Sequence, residues 1–321
     1  MRVLDAAEIC ARAPMGELIE CLRKAFRDPP SAAVRQIAPI PGGHGDRLLL
    51  YMPAFDGAGT GAIKLVTIFP DNGSKGLPTI QAALVVFSAT GTPVAVLDGA
   101  MVTRLRTGAA SALASTYLSR ADSVHLLVIG TGALAPYMAL AHSTVRPIRR
   151  ITVSGRREER ARETADEIRS LLGGNIEVGI ATALAEAVAN ADIICCATSS
   201  AQPVLAGKWL RPGVFLDLVG GFSPAKREVD DEAVLRSRLF VDTFEGALAE
   251  AGDLLQPLER GLISRERIEG ELSDLVSGRT TGRRSADEII LFKSVGTAIE
   301  DLAAAKLIVA ADGKRHTGKT P

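Results

Sequence analysis

The chain has 321 residues, 47% of them apolar and 23% charged, enough to bury one large α/β core or two ordinary ones without staples. Thirty-seven Lys and Arg balance thirty-seven Asp and Glu, so the overall charge asks for neither nucleic acid nor a membrane surface, and a small molecule is the expected partner. The four cysteines are Cys10, Cys21, Cys195 and Cys196; the last two adjoin in ADIICCAT, where a strand sends neighbouring side chains to opposite faces, so packing is expected rather than a disulfide framework.

MRVLDAAEICARAP lacks an apolar leader-like core, and no run reaches the roughly 18 apolar residues of a spanning helix. A cytoplasmic setting is the expectation. Residues 5–27 space Ile9, Leu18, Ile19, Leu22 and Phe26 helically among charges, which predicts one or two amphipathic helices. From 47 to 98 the texture becomes β: RLLLYMPAF, GAIKLVTIF and TIQAALVVFSATGTPVAVLDG, with ATGTP read as a hairpin turn. The Ala- and Leu-rich stretch 101–119 predicts a helix leading out of this region.

A different rhythm follows. VHLLVIG, a helix from about 133, RRITVSG, a helix from about 156, NIEVGIA, a short helix near 183, ADIICCAT and VFLDLVGG alternate strand with helix. This predicts a parallel, doubly wound sheet. LFKSVGTAIEDLAAAKLIVAA is read as a long helix packing back on the first region, and the polar tail ADGKRHTGKTP as frayed.

In VHLLVIGTGALAPYMALAH a strand ends at Gly130, and Gly130-x-Gly132-x-x-Ala135 opens a helix. The first glycine permits a tight turn, the second lets a pyrophosphate approach backbone N–H groups at the positive helix end, and small Ala135 lets the helix lie close. The next strand ends in Val153-Ser154-Gly155-Arg156-Arg157. An NAD site calls for a carboxylate here; a hydroxyl and two guanidiniums instead suit a 2′-phosphate, so NADPH is expected, with NADH a weaker substitute. The alternative is that both arginines merely solvate a helical turn, or that the site accepts both cofactors.

Strand alternation sets Lys64 on one face with Val66 and Ile68, costly unless an anion meets it. Arg106 opens toward the small residues Thr107, Gly108 and Ala109, and Arg35 precedes the strands. Together the three cations suit a substrate carboxylate, the alternative being surface or dimer-edge charge. His44, His125, His142 and His316 show no metal-ligand spacing, so no metal is expected, and no G-x-S-x-G is present. The chemistry is therefore expected to be the cofactor's, hydride transfer first.

GAIKLVTIFP, GLPTIQAALVVF, LDGAMVTRLRTGAASALAS, VIGTGALA, ADIICCATSSAQPVL, RPGVFLDLVGG, VDTFEGALAEAGDL and DEIILFKSVGTAIEDLAAAKL together resemble the ornithine cyclodeaminase and mu-crystallin family over nearly the whole chain. The resemblance implies an α/β fold in which a Rossmann domain is inserted in a substrate-binding and dimerisation domain. Its boundaries would be 1–115 with 292–321 for the latter and 116–291 for the Rossmann NADP-binding domain. It implies that Arg35, Lys64 and Arg106 bind substrate, with Lys64 and Arg106 catalytic and Val295 beside the substrate. It also implies that Thr79, Arg106, Ala133, Leu134, Thr198, Val219, Gly220, Gly221, Lys226 and Ser294 line the cofactor, and that the chain is a homodimer.

The family's usual G-A-G-x-Q-A reads GTGALA here, so Leu134 replaces a polar residue near the pyrophosphate. The larger departure is Phe222, where cyclodeaminases carry an Asp directly after V-G-G. Phenylalanine handles no proton; it offers an apolar wall to a flat ring and makes Phe222 a substrate-binding candidate. VGGFSPAKREVDDEAV is similar to bacterial reductases of Δ1-pyrroline-2-carboxylate, which implies reduction of that ring to L-proline and of Δ1-piperideine-2-carboxylate to L-pipecolate, in hydroxyproline, D-amino-acid or lysine breakdown. The alternatives are an alanine or N-alkyl-amino-acid dehydrogenase, an ornithine cyclodeaminase, and a non-catalytic NADPH-binding protein akin to mu-crystallin.

Overall fold

The computed structural model describes residues 1–42 and 47–316, with side chains as far as 311. His44 and the side chain of His316 lie outside the described residues. Two compact units emerge, Met1–Arg106 with Thr297–Pro321, and Thr107–Gly296.

The first unit begins with β1 (Arg2–Leu4), α1 (Ala6–Arg12) and α2 (Met15–Arg27). Asp5 caps α1 by accepting from Glu8 N at 2.9 Å, while the Glu8 carboxylate returns to Asp5 N at 3.1 Å, a reciprocal capping pair. Helix α2 buries Met15, Leu18, Ile19, Leu22 and Phe26, one apolar stripe at helical spacing. Then come β2 (Ser31–Ala32), β3 (Gln36–Pro39), β4 (Leu48–Phe55), β5 (Gly61–Ile68), β6 (Ile80–Phe87), β7 (Pro93–Asp98) and α3 (Gly99–Leu118).

The sheet runs β1-β7-β6-β5-β4-β2, with β3 also on β4. Only the β1–β7 pair is parallel. The expected turn at ATGTP is present, closed by Gly91 N donating to Ser88 O and Ser88 N to Thr92 O, both at 2.9 Å. Strands β1, β2 and β3 went unanticipated, being two to four residues long, too short to carry a period-two pattern.

The second unit contains β8 (His125–Ile129), α4 (Ala135–Val145), β9 (Arg150–Ser154), α5 (Glu158–Leu172), β10 (Glu177–Ile180), α6 (Leu184–Asn190), β11 (Ile193–Cys196), β12 (Phe215–Leu218), α7 (Asp231–Arg236), β13 (Arg238–Val241), α8 (Phe244–Glu250), α9 (Gly252–Glu259), β14 (Ile268–Glu271), α10 (Leu272–Ser277) and β15 (Ile290–Lys293). Its sheet is ordered β10-β9-β8-β11-β12-β15-β13-β14, and every pair is parallel. The order reverses between β8 and β11, the place where doubly wound sheets open a crevice at their carboxyl ends. Strands β11, β12 and β15 are buried throughout, as expected of a parallel sheet covered on both faces.

Two expectations need correcting here. Residues Leu291, Phe292 and Lys293 belong to strand β15 rather than to the last helix, and a boundary at 291/292 would cut that strand in two. The polar loop before them hides the short strand. The helix itself, α11 (Ala298–His316), packs on α2, β4 and β5 of the first unit. It runs on through His316, so part of the supposed frayed tail is helical, and residues 317–321 lie outside the described residues. Among the described residues, no helix is long and apolar enough to cross a membrane.

Candidate active site

In the second unit, the C-terminal edge of β8 is drawn tight against its neighbours. Gly130 has φ of 131°, and a Cβ there would sit 2.3 Å from Ala197 O, so no other residue fits both the conformation and the space. Its N–H donates to Ser154 O at 2.9 Å, which brings the end of β9 beside the loop. A Cβ on Gly132, by contrast, would meet nothing within 4 Å. Helix α4 starts after Ala133 and Leu134 without a side-chain cap, and Ala135 is fully buried. The open approach at Gly132, at the positive end of an eleven-residue helix, fits the pyrophosphate of a dinucleotide.

Ser154 closes β9, and Arg156 and Arg157 follow on the surface. Among the described residues neither arginine pairs with a carboxylate: Glu158, the nearest in sequence, is taken by Arg162. Both guanidiniums are thus available to an anion.

Thr198 follows β11, and Val219, Gly220 and Gly221 follow β12. These two loops touch so closely that a Cβ on Gly220 would lie 2.0 Å from Thr198 O. Sequence reasoning missed what fastens them. Glu228, fully buried, accepts from Thr198 N at 2.8 Å, Thr198 Oγ1 at 2.9 Å, Gly220 N at 2.7 Å and Gly221 N at 3.3 Å. Behind it, Lys293 Nζ lies 3.0 Å from Asp253 Oδ2 and 3.9 Å from Glu228 Oε2.

Phe222 is partly buried against the apolar core, with Lys226 Nζ 5.4 Å from its ring centroid, a cation–π distance. Ser294 Oγ, Val295 N and Gly296 N all converge on Asp242 Oδ2, at 3.0, 2.8 and 2.7 Å. Asp242 is a second buried carboxylate that orders candidate residues from beneath and that sequence reasoning missed.

Three further candidates belong to the first unit's own cluster, and Thr79 lies there too, exposed, its carbonyl accepting from Phe69 N at 2.8 Å. Lys64 on β5 and Arg106 on α3 are 1% and 4% exposed. The expectation that they await an external anion needs correction, because α11 already supplies two. Asp301 Oδ1 lies 2.7 Å from Lys64 Nζ and 3.2 Å from Arg106 Nε, and Glu300 Oε2 lies 2.6 Å from Arg106 Nη1.

Arg35, partly buried between β2 and β3, adds its field to Lys64. Burial first, and Arg106 second, pull the Lys64 pKa down to about 8, against the opposing effect of Asp301. Glu300 and Asp301 look in sequence like ordinary first-turn acids favoured by the helix dipole, so nothing there marked them as partners.

The chain spacing gave no hint of a third buried group. His142, Cys195 and Asp217 bring their ligand atoms within 4.8 Å of one another. Hydrogen bonds account for the arrangement: Asp217 accepts from Ser111 Oγ at 3.0 Å and sits 3.0 Å from His142 Nε2. Burial, followed by the Asp217 carboxylate, raises the Cys195 thiol well above its ordinary pKa.

A model of the ornithine cyclodeaminase/mu-crystallin family matches residues 1–313. The chain is 38% identical over 314 residues to the Δ1-pyrroline-2-carboxylate reductase of Colwellia psychrerythraea, covering 96% of this chain and 98% of the relative. Among solved structures, Thermococcus litoralis Δ1-pyrroline-2-carboxylate reductase, in complex with NADH and L-proline, superposes with a TM-score of 0.92 at 34% identity over 100% of both chains. An archaeal alanine dehydrogenase dimer with bound NAD superposes with a TM-score of 0.88 at 29% identity, covering 99% of this chain and 98% of that one.

Proposed function

The chain belongs to the ornithine cyclodeaminase/mu-crystallin family, and from that premise we propose that it is an NADPH-dependent reductase of cyclic ketimines, converting Δ1-pyrroline-2-carboxylate to L-proline and Δ1-piperideine-2-carboxylate to L-pipecolate. The observation that carries the proposal is the buried cluster of Lys64 and Arg106 on Asp301 and Glu300, close enough to Arg35 for its field to act on Lys64. An α-imino acid presents one carboxylate to such a cluster. When bound, the reduced nicotinamide supplies the hydride that adds to C2 of the ring.

In this reading Arg35 and Arg106 hold the substrate carboxylate. Lys64, with its pKa at about 8, is largely protonated at neutral pH and keeps a proton on the ring nitrogen, making C2 electrophilic. Phe222 and Val295 give the ring an apolar wall. Phe222 carries no proton, which speaks against the ammonia release and ring closure of a cyclodeaminase.

Gly130, Gly132, Ala133 and Leu134 would hold the pyrophosphate, and Ser154, Arg156 and Arg157 the 2′-phosphate. Thr79, Arg106, Thr198, Val219, Gly220, Gly221, Lys226 and Ser294 are assigned to the rest of the dinucleotide. The preference for NADPH over NADH rests on Arg156 and Arg157, which pair with no carboxylate among the described residues, since the Thermococcus litoralis relative was solved with NADH. A homodimer is part of the reading, supported by exposed Tyr51 and Leu65, paired directly across β4 and β5.

The test is NADPH oxidation with both cyclic imines and with pyruvate plus ammonia, and ammonia release from L-ornithine, in parallel. Turnover confined to the imines supports the proposal. The likeness to an alanine dehydrogenase favours pyruvate plus ammonia as the second reading, and faster turnover there would replace the first. Cofactor binding with no turnover of any substrate would mark a binding protein instead.

A further inference from the structure

We propose that Glu228 is a positioning residue for the dinucleotide: its single carboxylate clamps the loop after β11 to the loop after β12 in the shape that seats the cofactor. This rests on the reading above, in which Thr198, Val219, Gly220 and Gly221 line the dinucleotide.

Each carboxylate oxygen serves one loop. Oε1 accepts both the N–H and the hydroxyl of Thr198, at 2.8 and 2.9 Å, and Oε2 accepts the N–H groups of Gly220 and Gly221, at 2.7 and 3.3 Å. Only an ionised carboxylate offers acceptor capacity on both sides at once. A Gln keeps one oxygen and turns an NH₂ group toward donors on the other side, so one loop would lose its anchor.

A second tier aims the carboxylate. Asp253 Oδ1 accepts from Glu228 N at 2.7 Å and Val229 N at 3.2 Å, and Lys293, from β15, bridges Asp253 and Glu228. All three side chains are fully buried. A carboxylate is an expensive way to fill a core, because an apolar residue of similar size packs there without desolvating charge. A clamp between two ligand loops accounts for that expense, whereas packing does not.

Asp217 provides the control. It is just as buried, lies on β12 in the same unit, and is bonded to Ser111 and His142 rather than to either loop. The experiment uses the full chain, with folding checked by circular dichroism and a thermal melt. NADPH affinity is measured by fluorescence titration without imine, and KM is measured separately for NADPH and for Δ1-pyrroline-2-carboxylate.

Glu228→Gln is expected to weaken NADPH binding about tenfold or more, the effect of losing hydrogen bonds to a charged acceptor, while KM for the imine stays within about twofold. Glu228→Asp is expected to recover part of the loss. Asp217→Asn is expected to lower the melting temperature without changing NADPH affinity. A folded Glu228→Gln that binds NADPH like the wild type overturns the inference, as does an Asp217→Asn that loses affinity equally. Should Glu228→Gln not fold, Glu228→Asp binding at wild-type strength overturns it in the same way, and weaker binding supports it. A wild-type chain that binds neither NADPH nor NADH overturns the functional reading and this inference together.

Discussion

Lys64 meets two demands that pull against each other. Its burial disfavours the ammonium, while Asp301 at 2.7 Å favours it, and burial wins to the extent that the pKa falls to about 8. Between about 8 and the ordinary lysine value of 10.5 the folded chain binds fewer protons than the unfolded one, so this residue makes stability rise with pH across that window. Activity runs the other way. Imine reduction is expected to fall above about pH 8, by roughly tenfold per pH unit at the limit. The pH profile of Lys64→Ala is expected to be low and flat; turnover and affinity near wild type would remove Lys64 from the mechanism. A urea-melt series at pH 8 and pH 10, compared with the same variant, isolates the stability effect.

Phe222 is the residue whose meaning changed most between sequence and structure. In sequence it stands out only as an aromatic where relatives of another activity carry Asp. In the structure its ring touches core side chains on one side and the Lys226 ammonium on another. Phe222→Asp is expected to cut imine reduction at least tenfold, since a charge would replace the apolar wall and lose the cation–π contact. Steady-state rates with NADPH and either cyclic imine measure this. Unchanged reduction would leave Phe222 a packing residue only.

At the scale of elements, the β–α alternation from β8 to β12 was legible because the strands are short, largely apolar and β-branched, and helical stretches separate them. The glycine loop was legible because its chemistry is local: a tight turn, a close approach and a helix start all fall within six residues. Strands β13, β14 and β15 were not, being four residues each and set among charged segments. Glu228, Asp242, Asp253 and Asp301 were not legible either, because a buried carboxylate and a solvated one look the same in a sequence. Their partners come from distant elements.

The junction of β9 and α5 yields a prediction at this scale. Arg157 caps α5 with no side-chain hydrogen bond, and the first turn holds Glu158 and Glu159, which already complement the helix dipole. Replacing Arg156 and Arg157 together by Ala is therefore expected to leave the fold intact. It should raise KM for NADPH about tenfold or more while moving KM for NADH little. Parallel kinetics with the two cofactors check this, and equal shifts would return both arginines to the solvated surface.

For the whole molecule, Tyr51 and Leu65, 39% and 38% exposed and paired directly across β4 and β5, set two apolar side chains side by side on a solvent-facing part of the sheet, the kind of surface a second copy covers. Tyr51→Asp with Leu65→Asp is expected to convert a dimer to a monomer in size-exclusion chromatography with light scattering. A wild-type chain that already elutes as a monomer would sink the dimer reading.

The ion pairs of the first unit span a long stretch of chain: Lys64 and Asp301 are 237 positions apart, and Arg106 and Glu300 are 194. The ribosome delivers the two cations early and their carboxylates late, with the whole of Thr107–Gly296 made in between. At typical bacterial and eukaryotic rates of about 5–20 residues per second, that interval lasts on the order of ten to forty seconds. Until it ends, Glu300 and Asp301 are not there to meet Arg106 and Lys64, so these buried ion pairs form only after the second unit has been made.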